Sequence, residues 1–445
     1  MTRSGAGGAA LGRWLWPLLW TVLAIALVAR ATSRDATRGV ILDHLEFGRR
    51  LLAGDDVYGP WRSDPDAPVR PLHAPYPPSY GLLTAPFAAV DALLGTRAAR
   101  FCWALAQIAA LAGIGWSLRR LTAGRAPAEA GSAWWHRLWL ITFVLGARFI
   151  LRDTHGGGGN LINVAFCLLA FVAAEGGRAG LAGALLGFSL ATKPTQLWLL
   201  PVLLLLGHRR TVLWAVVAGV AAAGLTLLLQ RFDVGPWLRW IEGSWSIATQ
   251  RDPWADPALE FPPFEWMNQS LRFAVARWFG SVPPGFAARV EWGIAPPGLG
   301  LGVAAVGALA RGLALALLAV LLVACHRRRG DPAARMWLFA GALVLSLLLS
   351  PLSWKAHHVA LLPVLFLLAQ DRRWFVLLGW FALCALPGRD LIDRFALYAL
   401  PGREPIGDAA DEWLNSVYVV TVWDIALLLL AVWCARRGAP RSGCR

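Results

Sequence analysis

Residues 211–230 read TVLWAVVAGVAAAGLTLLLQ, a run of twenty residues without one charged side chain. An α-helix needs about twenty consecutive apolar residues to cross the hydrocarbon core of a bilayer. Comparable stretches recur along the chain, which is 57% hydrophobic and only 16% charged. Soluble domains carry about 25% charged residues, and inside lipid only helices or closed barrels satisfy their backbone polar groups. The sequence therefore predicts an all-α, polytopic integral membrane protein.

Twelve apolar segments are predicted to cross the membrane, although several are shorter than the usual ~20 residues. The first is expected to be an uncleaved span, because Arg30 and Arg34 stand where a signal peptide would have small residues for cleavage. The segments are 14–32, 97–117, 138–152, 158–174, 180–192, 195–207, 211–230, 298–325, 333–350, 356–370, 372–387 and 413–435.

Arginine is distributed unevenly among the links between these segments. The links on the same side as the N-terminus hold nineteen arginines and four acidic residues, whereas the remainder of the chain has no net charge. These links are 1–13, 118–137, 175–178, 207–210, 326–335, 371–373 and 436–445. Cytoplasmic loops carry an excess of Lys and Arg, so both termini are predicted to be cytoplasmic. The net charge of +15 is then explained by topology rather than by nucleic-acid binding.

This orientation gives a cytoplasmic N-terminus at 1–13, one transmembrane domain at 14–435 and a basic cytoplasmic tail at 436–445. Residues 79–94, SYGLLTAPFAAVDALL, are apolar enough to span, but a span here would move the arginines of 118–137 to the outside. We therefore expect 79–94 to form an interfacial or re-entrant helix under the first outer loop. The outer loops are 33–96, 231–297 and 388–412.

The first outer loop carries two carboxylates close to the end of the first span. Residues 42–58, LDHLEFGRRLLAGDDVY, predict a short amphipathic helix that stops at Gly54. Asp43 and Glu46 are three residues apart and would share one helix face. Close like charge or partial burial would raise the pKa of one of them toward that of a general base. The alternative is a solvated surface helix with Asp43 at its N-cap.

Two further places combine turn residues with polar or aromatic side chains. Tyr76 precedes two prolines, which predict an extended entry into a helix. A tyrosine there suits either a sugar site or the membrane interface. The second place is Gly156–Gly159, which follows Arg148 and Arg152 and precedes Asn160. Its glycines favour either close approach of backbone N–H groups to a ligand or a simple tight turn between two spans.

Lysine is rare, with only two among 42 basic residues. Lys193 and Lys355 both fall at the predicted outer ends of spans, and Lys355 stands beside Trp354, His357 and His358. A lysine near the membrane plane is costly and often functional, and it can act as a compact partner for phosphate. The alternative is that both lysines extend toward the membrane interface to keep their charge hydrated.

Metal and cofactor sites have little support in the sequence. Asp64-Pro65-Asp66 matches the D-x-D of metal-dependent nucleotide-sugar enzymes, a short pattern that arises easily by chance. Asp424 lies inside the last span, either as a functional acid or facing a polar seam. The six cysteines show no ligand spacing, so we predict no metal, no cofactor and no disulfide framework.

Seven elements of this sequence stand in an order that is informative as a whole. They are Asp43, RLLAGDDVY (50–58), YPP (76–78), the glycine turn that ends in Asn160, KPT (193–195), NQS (268–270) and SPLSWKAHH (350–358). Over about residues 40–370, this order resembles the bacterial GT87 family. Its members are polyprenyl-phosphate-mannose-dependent α-mannosyltransferases of the GT-C fold.

The resemblance implies roles for individual residues. Asp43 matches the catalytic base, and Trp354, His357 and His358 match a segment that lines the same cavity. One departure is that GT87 members usually carry Gly-Gln-x-Asn where this chain has GGGN (157–160). The residues expected to bind the donor phosphate are Lys193, Lys355, His357, His358, Arg148 and Arg152. The residues expected to contact the sugar or the acceptor are Glu46, Tyr76, Asn160, Asn268, Gln269 and Trp354.

The resemblance also implies partners and a location. The expected reaction is inverting transfer of a hexose, first of all mannose, from a polyprenyl-phosphate donor to a glycolipid or glycan acceptor. It would take place on the extracytoplasmic side of the bacterial inner (plasma) membrane, among membrane lipids. Another sugar, the acceptor, the linkage and the oligomeric state stay open. The alternative is a lipid or solute transporter or flippase, although transporters often contain repeated halves and no repeat is seen here.

Overall fold

A computed structural model of the protein describes residues 6–33, 39–61, 70–71, 76–126, 131–249, 268–281, 298–387 and 413–437. The predicted outer loop 388–412 and the Asp64-Pro65-Asp66 motif lie outside the described residues, as do the first residues of the N-terminus and most of the basic tail. The structure is almost entirely helical, which confirms the predicted all-α membrane fold.

The described residues contain sixteen α-helices, numbered here in chain order. The first eight are α1 (Ala6–Thr32), α2 (Ile41–Ala53), α3 (Tyr80–Leu94), α4 (Thr96–Thr122), α5 (Ser132–Gly156), α6 (Asn160–Glu175), α7 (Ala179–Thr192) and α8 (Leu199–Leu205). The others are α9 (Arg209–Leu229), α10 (Gly235–Thr249), α11 (Leu271–Phe279), α12 (Val303–Arg328), α13 (Pro332–Leu349), α14 (Leu362–Gln370), α15 (Trp374–Trp380) and α16 (Val419–Arg437).

A few short elements complete the described fold. Three 3₁₀ turns cover Ala123–Arg125, Pro194–Gln196 and Lys355–Leu361, and a π-helical turn covers Phe381–Ala385. A pair of two-residue antiparallel strands, Pro60–Trp61 and Arg70–Pro71, lies in the first outer loop.

Each of the twelve predicted spans coincides with helical structure. Six described helices are long and apolar enough to cross a membrane, namely α1, α4, α9, α12, α13 and α16. The pairs α5–α6 and α7–α8 are each bent by 117° at a short break, and counting each pair as one span gives eight. The shorter helices do not meet this length criterion, so the number of twelve crossings stays a prediction.

The helices differ strongly in how far they are enclosed by protein. Within the apolar window of α13, 78% of residues are buried, whereas the corresponding figure for α1 is only 11%. Phe339 of α13 stacks on Phe171 of α6 at a ring separation of 4.1 Å, and α14 is buried along nearly its whole length. Helices α13, α14 and α6 therefore form the interior, and α1 packs at the edge against α4 and α5.

Five of the links predicted to be cytoplasmic, 118–137, 175–178, 207–210, 326–335 and 371–373, meet in their described residues at one end of the bundle, which we call the arginine-lined end. Three side-chain contacts join them: Arg125–Asp371 at 2.7 Å, Glu175–Arg335 at 2.8 Å and Glu175–His208 at 2.9 Å. These contacts connect links that are far apart in the sequence but are predicted to lie on the same side of the membrane. Which face of the membrane this end occupies stays a prediction.

The amphipathic helix predicted in the first outer loop is present as α2. It ends before Gly54, which adopts the left-handed conformation (φ 72°) that favours glycine, and the N–H groups of Gly54 and Asp55 close the helix. Asp43 is the third residue of α2, and the N-cap is Val40, so the alternative that Asp43 caps this helix was wrong.

Helix α3 packs directly on α2, as expected for residues 79–94. A Cβ atom at Gly48 of α2 would lie 2.7 Å from the backbone of Thr84, so glycine is what permits this close crossing. The 15 residues of α3 are fewer than a full crossing needs. This packing fixes the position and direction of α2 relative to α3, and with them the position of Asp43.

Candidate functional site

Polar side chains gather at the end of the bundle opposite the arginine-lined end. Helix α2, the turn between α5 and α6, and the break between α7 and the following 3₁₀ turn meet there. The Ser79 hydroxyl donates to the carbonyl oxygen of Ala191, which ties the start of α3 to the end of α7. We call the group at this meeting point the polar cluster; its members are Asp43, His44, Tyr76, Asp153, Asn160 and Lys193.

Lys193 is the centre of the polar cluster. Its side chain is buried, with 3% of the residue exposed, and its ammonium donates to Asn160 Oδ1. The same Nζ atom lies 3.5 Å from the Tyr76 hydroxyl and 5.0 Å from the centre of the Tyr76 ring. Lys193 is held at this place because α7 ends at Thr192 and Pro194 starts a new turn, leaving Lys193 extended.

Asp153 and Asn160 hold Lys193 in position. The Asn160 side-chain amide donates to Asp153 Oδ1 at 2.7 Å, and the backbone N–H of Leu161 donates to Asp153 Oδ2 at 2.9 Å. Both ends of the Asn160 amide are thus engaged, one by a carboxylate and the other by the ammonium of Lys193. The buried ammonium has a carboxylate within electrostatic reach, which offsets part of its cost of burial.

The glycine run is a tight turn packed against its surroundings. Gly157 has a positive φ of 76°, and a Cβ atom at Gly158 would clash with the Asp153 carboxylate. A Cβ at Gly157 would meet Ile41 at the start of α2. The simple-turn alternative explains the glycines, since they let this turn approach both Asp153 and α2.

His44 lies in an aromatic wall behind Tyr76. Its ring is 5.6 Å from that of Tyr76, 5.0 Å from that of Tyr80 and 5.4 Å from that of Trp103, and Tyr76 stacks on Tyr80 at 4.1 Å. Burial first, then the charge of Lys193, lowers the pKa of His44 to about 3, so the ring is neutral. Among the described residues, His44 Nε2 and the Tyr80 hydroxyl have no hydrogen-bond partner, so this wall retains hydrogen-bonding capacity.

Asp43 borders the cluster from the first turn of α2, where its side chain is half-buried. Burial first, then the charges of Asp153 and Asp43, raises the pKa of Tyr76 above its ordinary value. Tyr76 therefore lies within electrostatic reach of Asp43 and within contact of Lys193. A carboxylate and an ammonium from distant parts of the sequence therefore both lie close enough to influence one tyrosine.

Glu46 has different partners from those that its spacing suggested. Its carboxylate contacts Arg49 and accepts from Arg50 Nε at 2.6 Å. Arg50 also donates to the carbonyl oxygen of Pro60 at 2.7 Å, so this ion pair ties α2 to the loop that follows it. The structure thus pairs Glu46 with arginines rather than placing it as a like charge against Asp43.

The SPLSWKAHH segment forms the second group of predicted residues. Trp354, Lys355 and His357 are half-buried, and His358 is buried. His357 lies within electrostatic reach of Lys193, which links this segment to the polar cluster. The Trp354 N–H donates to His357 Nδ1 at 3.0 Å, so the neutral His357 ring carries its proton on Nε2.

Asn268 and Gln269 are fully buried and hold other segments together. Asn268 Oδ1 accepts from the Ser353 N–H at 2.9 Å, and the Gln269 N–H donates to the Ser353 carbonyl oxygen at 2.8 Å. The Gln269 side chain donates to the Asn415 carbonyl oxygen at 3.0 Å. Their predicted contact with the sugar stays a prediction, but the structure shows them bracing the SPLSWKAHH segment.

The two predicted arginines occupy different environments. Arg148 is buried and donates to the Cys384 carbonyl oxygen at 2.7 Å and to Asn415 Oδ1 at 3.5 Å. Arg152, one turn further along α5, is exposed. The structure therefore engages Arg148 with the π-helical turn and with the segment before α16, and of the two arginines it leaves Arg152 at the surface.

Two members of the polar cluster, His44 and Asp153, were not among the predicted site residues. Asp153 was visible as a lone acid beside the glycine run at the end of an apolar segment, and His44 as the neighbour of Asp43. Neither signal separates a site residue from an ordinary surface residue without the three-dimensional contacts.

Metal ligands and one further cavity were the other places where a site could lie within the described residues. Among the described residues, no three His, Cys, Asp or Glu side chains come together in a way that could hold a metal ion. A cavity of about 300 Å³ lies toward the arginine-lined end, between α1, α4 and α5. Its lining is mostly apolar and aromatic, and it contains none of the predicted site residues.

Comparison with known proteins identifies the family. The family model described as "Glycosyltransferase family 87" matches residues 74–351, which is more than half of the chain. No curated protein and no solved structure matches this chain. The matched region contains Tyr76, Asp153, Asn160 and Lys193 of the polar cluster. Asp43 and His44 precede the matched region, and His357 and His358 follow it. The protein therefore belongs to glycosyltransferase family 87 and is a membrane glycosyltransferase.

Proposed function

We propose that this glycosyltransferase moves a hexose, first of all mannose, from a polyprenyl-phosphate donor to a hydroxyl of a glycolipid or glycan. The reaction would take place at the extracytoplasmic face of the bacterial inner membrane. One observation carries the proposal: Asp43 lies within electrostatic reach of Tyr76, and Lys193 contacts the hydroxyl of the same tyrosine. A carboxylate that accepts a proton and a cation that holds a phosphate are the two groups that transfer from a sugar phosphate needs.

Asp43 is the general base in this mechanism. Its carboxylate accepts the proton of the acceptor hydroxyl, whose oxygen attacks the anomeric carbon C1 of the donor. The bond between C1 and the phosphate oxygen breaks, and its electron pair leaves with the polyprenyl phosphate. Attack from the face opposite the phosphate inverts the configuration at C1.

Lys193 is the main cation for the leaving phosphate. It is fixed by Asn160 and lies in a buried site, where a preorganised charge stabilises a developing anion more strongly than it would in water. In this proposal His357 donates from Nε2 toward the same phosphate, and Lys355 and Arg152 supply further positive charge. Asn160 acts by holding Lys193, since both ends of its amide are already engaged.

The remaining predicted residues divide into two groups. Tyr76 and Trp354 are half-buried and provide aromatic surface for a sugar ring. Glu46, Asn268, Gln269 and Arg148 are buried and bonded within the protein, and we propose that they hold the loops that form the site.

The test replaces Asp43 by Asn in protein reconstituted into liposomes. The liposomes receive labelled polyprenyl-phosphate mannose and a lipid extract from a strain that lacks the protein. We expect Asp43→Asn to lower the rate of transfer by roughly 10²–10⁴-fold, because it removes the general base. Asp55→Asn, an exposed acid just beyond α2, serves as the matched control and should keep the wild-type rate.

Three outcomes would contradict the proposal. A folded Asp43→Asn variant with wild-type turnover would remove Asp43 from the mechanism. Transfer only from polyprenyl-phosphate glucose or arabinose would change the donor sugar but not the class of donor. A reporter fused near residue 60 that proves to be cytoplasmic would place the site on the other side of the membrane.

A further inference from the structure

Asp424 is a completely buried carboxylic acid in the second turn of α16, a helix long enough to cross the membrane. A carboxyl group at such a place is costly and persists only with a partner or a function. Its partner is His358, whose Nε2 lies 3.1 Å from Asp424 Oδ2. Both side chains are 0% exposed, so water does not mediate or weaken this contact.

His358 is held on its other side by the SPLSWKAHH segment itself. Its Nδ1 lies 3.0 Å from the carbonyl oxygen of Trp354, which only accepts, so Nδ1 carries a proton and donates it. One face of the ring stacks on Phe149 at 5.3 Å. The arrangement is the same whether the proton between Nε2 and Asp424 Oδ2 is bound to His358 or to Asp424, because the carboxyl group can accept from Nε2 or donate to it.

The backbone of Trp354 connects His358 to His357. While its carbonyl oxygen accepts from His358, its N–H donates to His357 Nδ1 at 3.0 Å. The N–H and the carbonyl group of Trp354 are therefore each bonded to one of two consecutive histidines. A continuous series of hydrogen bonds runs from Asp424 through His358 and Trp354 to His357, and it ends at the ring that lies within reach of Lys193.

We propose that Asp424 is a positioning residue for transfer: acting through His358 and Trp354, it sets the orientation of His357 toward the donor phosphate. This inference rests on the proposed function, because it assumes that His357 faces the phosphate. Asp424 lies outside the residues matched by the family model. Its role here follows from its contacts alone.

The experiment compares Asp424→Asn with Asp424→Leu in the reconstituted transfer assay. An Asn side chain keeps the restraint, because its amide donates to Nε2 of a neutral His358 whose Nδ1–H still donates to Trp354. A Leu side chain has similar bulk but leaves Nε2 without a partner. Leu428→Ala, a buried residue one turn away on α16, controls for general loosening of this helix.

We expect Asp424→Leu to lower kcat by roughly 10–100-fold, the usual effect of losing an outer partner of a working side chain. Asp424→Asn should stay within about threefold of wild type, and Leu428→Ala should lower Tm without a comparable loss of kcat. Combining Asp424→Leu with His358→Leu should cost little more than His358→Leu alone, because both changes break the same series of contacts.

A second readout does not depend on activity. In protein labelled with ¹⁵N-histidine, Asp424→Leu should shift the ring signals of both His358 and His357, whereas Asp424→Asn and Leu428→Ala should leave His357 unchanged. Unchanged His357 signals in Asp424→Leu would overturn the inference, as would wild-type kcat in that variant or an Asp424→Asn variant as slow as Asp424→Leu. If the wild type transfers no sugar, the proposed function fails, while the ¹⁵N signals still decide whether Asp424 orients His357.

Discussion

The two ends of the helix bundle both carry many charges but use them in different ways. At the arginine-lined end, ion pairs such as Arg328–Asp331 (2.6 Å) are open to solvent, with side chains 32% and 31% exposed. At the opposite end, Lys193 is 3% exposed and Asp153 is 0% exposed. The first set of charges is hydrated, whereas the second is enclosed and held by specific partners.

This difference separates charge that sets topology from charge that does chemistry. Orientation in the membrane depends on how many arginines a side holds, so a single one is dispensable. A buried cation or imidazole has lost its hydration, so its stability depends on the side chains that contact it. Because such burial is costly, a buried group of this kind indicates a role in function or specificity. Substitutions at the two ends should therefore differ in size and in kind.

Among substitutions that contrast the charges of the two ends, the largest effect is expected from Lys193→Met. Met fills a similar volume but removes the charge that holds the leaving phosphate, and removing one such electrostatic partner costs about 10²–10³-fold in kcat. Tm should fall as well, because the variant leaves the buried Asp153 carboxylate without its compensating charge and Asn160 Oδ1 without its donor. The measurements are the initial rate of sugar transfer in liposomes and thermal unfolding in detergent.

Arg178→Met is the matched control, since Arg178 is an exposed cation at the arginine-lined end. It should keep both the rate and the Tm of the wild type. If Lys193→Met also kept its rate, or if both variants lost activity equally, the distinction between the two ends would not hold.

Much of this architecture was accessible from the sequence because it rests on local patterns. Apolar runs placed every predicted span on a helix, and the arginine counts grouped links that the structure joins, as at Arg125–Asp371. The scarcity of lysine singled out Lys193, which the structure places at the centre of the polar cluster. Gly54 as the end of α2 followed from the conformational freedom of glycine alone.

The remaining details depend on contacts between distant residues or on competition among near ones. Asn160 resembled a ligand-binding residue, but its bond to Lys193 joins positions 33 apart. Glu46 was paired with Asp43 by its spacing, yet Arg49 and Arg50, also three and four residues away, bind it instead. Local spacing gives the possible partners of a side chain, and the packing of α2 on α3 decides among them.

A medium-sized effect on stability is expected from His44 as the pH falls. The pKa of His44 is about 3 in the folded protein, against about 6.5 in an unfolded chain. Below pH 6.5 the unfolded state binds a proton that the folded state does not, so the free energy of unfolding decreases as pH falls. Between pH 7.5 and pH 5 this amounts to about 2 kcal/mol.

Thermal unfolding of wild type and His44→Phe across this pH range measures the contribution of His44. Phe suits the aromatic wall and cannot titrate, so the variant should lose the part of the pH dependence that His44 contributes. An identical slope in both proteins would mean that His44 is hydrated in the folded state, and that the site end is less enclosed than its contacts indicate.

The smallest effect is expected from Arg328→Gln at the arginine-lined end. Solvent-exposed ion pairs contribute roughly 0–1 kcal/mol, so Tm should hardly change and the transfer rate should stay at the wild-type value. Its partner gives a sharper comparison, because Asp331 also caps α13 by accepting from the N–H groups of Ala333 and Ala334. Asp331→Ala should cost about 0.5–2 kcal/mol through loss of that cap, again without lowering kcat. A loss of transfer in either folded variant would show that the charges of this end reach the chemistry, and the contrast between topological and catalytic charge would have to be abandoned.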